Sequence, residues 1–236
     1  MKIFRKRANN NGTRRQWVKK ILGEMPAGKK ILDVGAGECQ YKKFCSHLNY
    51  ISHDFCQYDG EGNKKALQSK KWNTSKIDIV SDIVDIPVRN NSFDIIICTE
   101  VFEHIPEPVK AVKEFSRILK PGGKLILTAP FCSLTHQAPY YFANGYSKYW
   151  YKKILGENGF TIDEVSYNGN YFEYLAQEIR RISVIERKYT DLKVCRKLHN
   201  WNAKRAMLKL LKQLSKNNKG SEELLCFGLH VLAAKK

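Results

Sequence analysis

Between residues 29 and 129 short apolar runs alternate with longer helical or loop-like stretches, the pattern of βα units that feed a parallel sheet. The runs are Lys30–Val34, Tyr50–Asp54, Ile77–Val80, Phe93–Cys98 and Lys124–Thr128, each the length of one strand. Pro106–Lys120 sets Val109, Val112, Phe115, Ile118 and Leu119 at helical spacing. It opens with prolines and stops at Pro121-Gly122-Gly123, which predicts a crossover helix. Residues 130–145 carry aromatics and prolines with little periodicity and read as a loop after a strand's C-terminal end, where doubly wound sheets line their ligand sites. A helix over 146–158, a strand over 160–167, a long helical region over 171–216 and a last strand over 226–233 follow. Residues 213–223 read as a linker and residues 1–12 as a mobile basic arm, leaving 13–236 as one domain.

Charge sharpens this picture through its distribution. The formal net charge is +18, yet residues 1–30 and 180–219 hold all of the excess. The remainder is near neutral, with 18 basic and 20 acidic residues. A conventional domain with basic additions is expected, rather than a protein built throughout to coat nucleic acid. Seven scattered cysteines without a C-x-x-C pair suggest free thiols and no zinc knuckle. No run approaches the ~18 apolar residues of a membrane span, and Met1–Arg7 lacks the apolar core of a signal peptide, so a cytoplasmic protein is predicted.

The strongest local chemistry is Ile31-Leu32-Asp33-Val34-Gly35-Ala36-Gly37-Glu38, a strand ending in D-x-G-x-G at a turn. Glycines there let the backbone bend sharply and approach a ligand. A dinucleotide fingerprint needs a third glycine where Gln40 stands, which disfavours a pyrophosphate cradle. Asp54 closes the next strand, where a carboxylate can accept both hydroxyls of a ribose. A nucleoside cofactor follows.

These residues resemble the class I S-adenosylmethionine-dependent methyltransferases, in particular bacterial enzymes acting on small molecules, lipids and glycans. The matches run in the family's order over residues 14–167: Leu32–Gly37, Asp54, Ser81-Asp82-Ile83-Val84-Asp85-Ile86-Pro87, then Phe93–Pro106 with Leu119-Lys120-Pro121-Gly122-Gly123. The resemblance implies an α/β, Rossmann-like doubly wound sheet, mostly parallel with an antiparallel last strand, plus a helical insertion before that strand. It implies S-adenosylmethionine as cofactor. Gly35, Ala36 and Gly37 would hold the methionine moiety, Asp54 with Phe55 the ribose, and Asp82 with Ile83 the adenine. Asp33 would order the turn, and Glu100 would look into the cofactor and acceptor cleft.

A sulfonium methyl is already activated, so the protein must align, exclude water and remove a proton from a hydroxyl acceptor. His104 is the favoured base, with Glu100, Glu103 and His136 as further candidates. His136-Gln137-Ala138-Pro139-Tyr140-Tyr141-Phe142 resembles the H-E-x-P-x-D-[FY] segment of methyltransferases found with polysaccharide and lipid-linked glycan biosynthesis. Gln137 and Tyr141 depart from it at the two acidic positions. Glu103, His136, Tyr140, Tyr141 and Tyr146 are the expected acceptor-side residues, with 130–216 forming that side. No His/Cys/Asp/Glu set has compact ligand spacing in the sequence, so no metal is expected.

Leu198–Lys216 places Met207, Leu210, Leu211 and Leu214 on one face and Arg205, Lys209, Lys212 and Lys216 on another. Such a basic amphipathic helix either packs on the domain or touches an anionic membrane at its inner face. The activity expected is O-methylation of a small-molecule, glycan or lipid-linked acceptor. Methylation of RNA or protein, and a non-catalytic cofactor-binding or membrane-surface scaffold, are the alternatives the residues leave open.

Overall fold

The computed structural model describes residues 9–69, 71–192, 194–196 and 198–236. Its strands are β1 (Lys30–Val34), β2 (Asn49–Asp54), β3 (Ile79–Val80), β4 (Phe93–Thr99), β5 (Leu119–Pro130), β6 (Phe160–Asn168) and β7 (Gly228–Lys235). They form one sheet in the order β3-β2-β1-β4-β5-β7-β6. β7 runs antiparallel to both neighbours, and the β1 to β5 pairings are parallel. This is the α/β Rossmann-like sheet with an antiparallel last strand that the motifs imply. The chain steps outward to β3 and returns beside β1 as β4, so the order reverses at the β1/β4 boundary and opens a crevice at the strand C-termini.

The apolar runs are near-continuous because the central strands are buried on both faces. Alternate side chains divide between two cores. Leu32, Val34, Ile96, Cys98, Leu125 and Leu127 join one layer, whereas Ile31, Ile95, Ile97 and Ile126 join the other. Against the first layer packs α2 (Pro108–Ile118), which starts on proline and buries Ala111, Val112, Phe115 and Ile118. The second is closed by α1 (Asn10–Glu24) through Val18, Ile21 and Leu22.

Several boundaries differ from expectation for identifiable reasons. Helix α2 ends at Ile118, and Pro121-Gly122-Gly123 is an irregularity within β5, where the register jumps from Phe93↔Leu119 to Ile95↔Lys124. The Asn-rich end of the expected mobile arm is the start of α1, because the Asn9 side chain accepts from the Asn11 and Gly12 amides. The arm's residues 1–8 lie outside the described residues. The insertion consists of α4 (Tyr171–Tyr189) and α5 (Leu198–Lys216), which pack together, after α3 (Lys148–Glu157). The expected linker begins too early, since residues 213–216 complete α5. On α5, Leu211 is buried, while Met207, Leu210 and Leu214 are 40–48% exposed. The apolar face is thus only partly packed on the domain.

Candidate active site

The turn after β1 is built from backbone bonds. Gly35 and Ala36 both donate to the His53 carbonyl at 2.9 Å. Gly35 and Gly37 have φ of +70° and +53°, a region L side chains rarely adopt. A Cβ on Gly35 would lie 2.4 Å from Val101 Cγ2. Asp54, at the end of β2, accepts from Gly37 N through Oδ2 and from Cys56 N through Oδ1, each at 2.9 Å. Its neighbour Phe55 meets Tyr140 edge-on at 5.0 Å. Asp33 accepts from the Tyr50 hydroxyl at 2.6 Å, and burial raises its carboxyl to about 7 against that bond. The bond joins β1 to β2 beside the turn, whose own amides are held by the His53 carbonyl and Asp54. Trp72 lies over Gly37, braced edge-on by Tyr58, and is a site residue absent from the sequence reading.

Beyond β3, exposed Asp82 accepts from Val84 N at 3.1 Å, while Ile83 is buried in the main core. Asp82 thus shapes its own turn, and Ile83 presents little free surface.

The end of β4 carries a second constellation. Glu100 has φ +55°, accepts from Thr128 Oγ1 at 2.9 Å and is paired with Arg14 of α1 at 2.7 Å. Arg14, also absent from the sequence reading, thereby ties the first helix to the cleft. One turn later, a single 3-10 helix, Phe102–His104, sets Glu103 and His104 side by side. The Glu103 side chain is fully buried, and neither carboxylate oxygen has a hydrogen-bond partner. Burial first, and the Glu100 charge second, push its carboxyl well above the usual range.

The loop after β5 brings His136 to this pair. Its path is fixed by Leu67 N to Thr135 O at 3.1 Å, Gln137 N to Leu67 O at 2.9 Å and Phe142 N to Glu103 O at 2.8 Å. His104 Nδ1 donates to the Tyr140 carbonyl at 2.6 Å, and His136 Nδ1 to the Leu134 carbonyl at 2.8 Å. Because a carbonyl only accepts, each ring keeps its lone pair on Nε2. Those nitrogens stand 3.6 and 3.7 Å from Glu103 Oε1. Burial, and then His136, lower His104 to about 4, and burial lowers His136. Linear spacing shows no compact ligand set, but in space these three side chains form one.

His136, Glu100, Arg14, Asn10, Ser133 and Arg181 are among the residues lining a cavity of about 280 Å³. His136, rather than His104, faces that space. The Tyr141 hydroxyl donates to the Ser133 carbonyl at 2.7 Å. Tyr146, expected on the acceptor side, is buried and its hydroxyl donates to the Phe102 carbonyl at 2.9 Å, so it supports the Glu103 turn from below.

Residues 32–127 match the family model of the methyltransferase domain. The chain carries a class I S-adenosylmethionine-dependent methyltransferase domain. The human protein named "Probable tRNA methyltransferase 9B" is 30% identical over 113 residues, 47% of this chain and 23% of that protein. A demethylmenaquinone methyltransferase from Paenarthrobacter aurescens is 26% identical over 174 residues, 72% of this chain and 63% of the relative. The chain therefore spans less than two thirds of the length of either. Phosphoethanolamine N-methyltransferase 2 from Haemonchus contortus shares the fold, with TM-score 0.52 and 18% identity over 95% of this chain and 52% of that one. The methyltransferase domain's cofactor fits the residues present: Gly35 has no room for a side chain, and each Asp54 oxygen spends one lone pair on an amide and keeps another. Among the described residues no helix is long and apolar enough to cross a membrane.

Proposed function

We propose that this chain methylates a hydroxyl of a small-molecule acceptor, most specifically a glycan or lipid-linked sugar, using S-adenosylmethionine. The reading is carried by one observation: the Gly35–Gly37 turn with Asp54 and the Glu100–Glu103–His104–His136 group belong to the same C-terminal edge of the sheet, where Glu100 and His136 line a half-open cavity. Bound there, S-adenosylmethionine supplies a methyl group that needs only an in-line nucleophile. Asp54 with Phe55 takes the ribose, Asp82 and Ile83 edge the adenine, and the Gly35-Ala36-Gly37 backbone takes the methionine end.

The cavity walls suit a polyhydroxylated acceptor. Asn10, Gln177, Ser133 and Arg181 offer donors and acceptors, and Phe227 and Leu134 add apolar surface. Tyr141 braces the loop through its bond to the Ser133 carbonyl, and the Tyr140 carbonyl through its bond from His104. Near the reacting oxygen, the Nε2 lone pairs of His136 and His104 are the groups able to receive a proton. Glu100, held by Arg14 and Thr128, is a positioning residue. The exposed apolar stripe and basic face of α5 support peripheral contact with anionic membrane, where lipid-linked acceptors reside.

Calorimetric titration with S-adenosylmethionine and S-adenosylhomocysteine tests the first half, with Asp54→Ala as control. Micromolar binding lost in the variant is expected, and no binding to either ligand defeats the reading. Methyl transfer to a panel of glycans, lipid-linked sugars, quinols and tRNA tests the second half. Turnover confined to tRNA would replace the acceptor class.

A further inference from the structure

A fully buried carboxylate without a hydrogen bond is an expensive arrangement, and proteins seldom keep one unless a cation or donor meets it. Glu103 is met by two imidazoles that aim lone pairs, not protons, at its Oε1. Two imidazole lone pairs and a carboxyl group thus converge on one point, a donor set complementary to a positive ion that would displace the carboxyl proton. His104 Nε2 is likewise buried without a partner.

The distances agree with this. Two ligand atoms each about 2.1 Å from a tetrahedral ion lie about 3.4 Å apart. The observed separations from Glu103 Oε1 are 3.6 and 3.7 Å, and all three ligand atoms lie within 4.8 Å of one another. The outer contacts fit as well. Each imidazole donates its other nitrogen's proton to a backbone carbonyl, the support that fixes ring orientation and tautomer in metal-bound histidines. Phe142 N holds the Glu103 carbonyl, so the loop that delivers His136 also clamps the carboxylate's own turn.

We propose that Glu103, His104 and His136 bind a divalent transition-metal ion of the zinc class. Two neutral imidazoles and one carboxylate select zinc, cobalt or manganese over magnesium and calcium, which demand oxygen-rich shells. Three protein ligands leave a position open, and His136 places that position at the cavity wall. Ion binding stands on this geometry alone. Its use in methyl transfer rests on the function proposed above: with an ion bound, the two Nε2 lone pairs would be taken up by it instead of by the acceptor's proton, and a hydroxyl at the open position would be acidified, so that its proton would leave for solvent.

The test is metal binding, read independently of turnover. Metal-stripped protein is titrated with Zn2+ by calorimetry and with Co2+ by absorption, beside Glu103→Gln and His136→Ala. One ion per chain is expected, weakened about a hundredfold or more in each variant. The cobalt spectrum should show ligand-field bands without the charge-transfer absorption of thiolate ligands. S-adenosylhomocysteine binding and thermal melting, measured on each protein, show whether the variants fold. If they unfold, the wild-type cobalt spectrum decides. Absence of stoichiometric binding, binding unchanged in folded variants, or a thiolate signature from the cysteines would overturn the proposal. In the unaltered protein, S-adenosylhomocysteine binding without metal binding refutes the ion and spares the cofactor reading, and metal binding without S-adenosylhomocysteine binding refutes only the latter.

Discussion

Arg14, on the first helix, places its guanidinium 2.7 Å from the carboxylate of Glu100, one residue past the fourth strand. Both side chains are largely withdrawn from solvent, at 13% and 25% exposure. Breaking one member of such a pair strands the other's charge. Arg14→Ala should therefore cost about 2–4 kcal/mol in urea unfolding. Adding Glu100→Gln should return part of that loss, and additive single-variant costs would show that the two are not coupled.

Gly35→Ala should be damaging twice over. The positive φ costs about 1–2 kcal/mol for alanine, and the new methyl meets Val101 at 2.4 Å. Overpacking of this kind adds about 1–3 kcal/mol. Val101→Ala in the same chain should relieve the second part and leave the first. Urea midpoints of the three variants measure the split.

His230 gives the fold a pH dependence of definite sign. It stacks on Trp17 at 4.9 Å, its Nε2 has no partner, and burial, then Arg14, lower it to about 4. The unfolded chain, with an ordinary histidine near 6.5, binds more protons between those two values. Stability is therefore fully present above about pH 6.5 and declines as pH falls toward 4, by up to about 3 kcal/mol. His230→Phe keeps a ring against Trp17 and should flatten that part of the stability profile. An unchanged slope would assign the acid sensitivity elsewhere.

The exposed stripe of Met207, Leu210 and Leu214 should carry the chain to anionic vesicles at low salt. Lys209→Glu with Lys212→Glu should weaken co-sedimentation about tenfold or more, since each basic residue near such a surface contributes ~1 kcal/mol. Phosphatidylcholine vesicles should not compete. Failure of the unaltered chain to sediment with phosphatidylglycerol vesicles would remove membrane contact from the proposed function.

The strands are legible because burial on both faces of β1 and β4 leaves uninterrupted apolar runs, and α2 because its buried positions recur at helical spacing. Helix α1 is not. Its three buried residues sit among basic and polar ones, so its main signal is Asn9, a capping residue that equally suits a loose tail. The cofactor turn is local and readable. The Glu103–His104–His136 group is not, because two members are adjacent in the chain and the third arrives by a loop whose course is set by Leu67 and Phe142. Arg14 escapes sequence reading for the same reason: its partner is remote.

Helix α1 finds its anchors at the far end of the chain. Trp17 donates to Glu164 at a separation of 147 residues, and Asn168 donates to Asn10 at 158. Closing so long a loop carries a large entropic cost before any contact repays it. During synthesis α1 is made long before β6, so these two contacts close only once the strands at that edge of the sheet exist. The cavity wall that Asn10 and Arg14 supply is thereby tied to β6, so a defect in that distant strand would reach the cavity through α1.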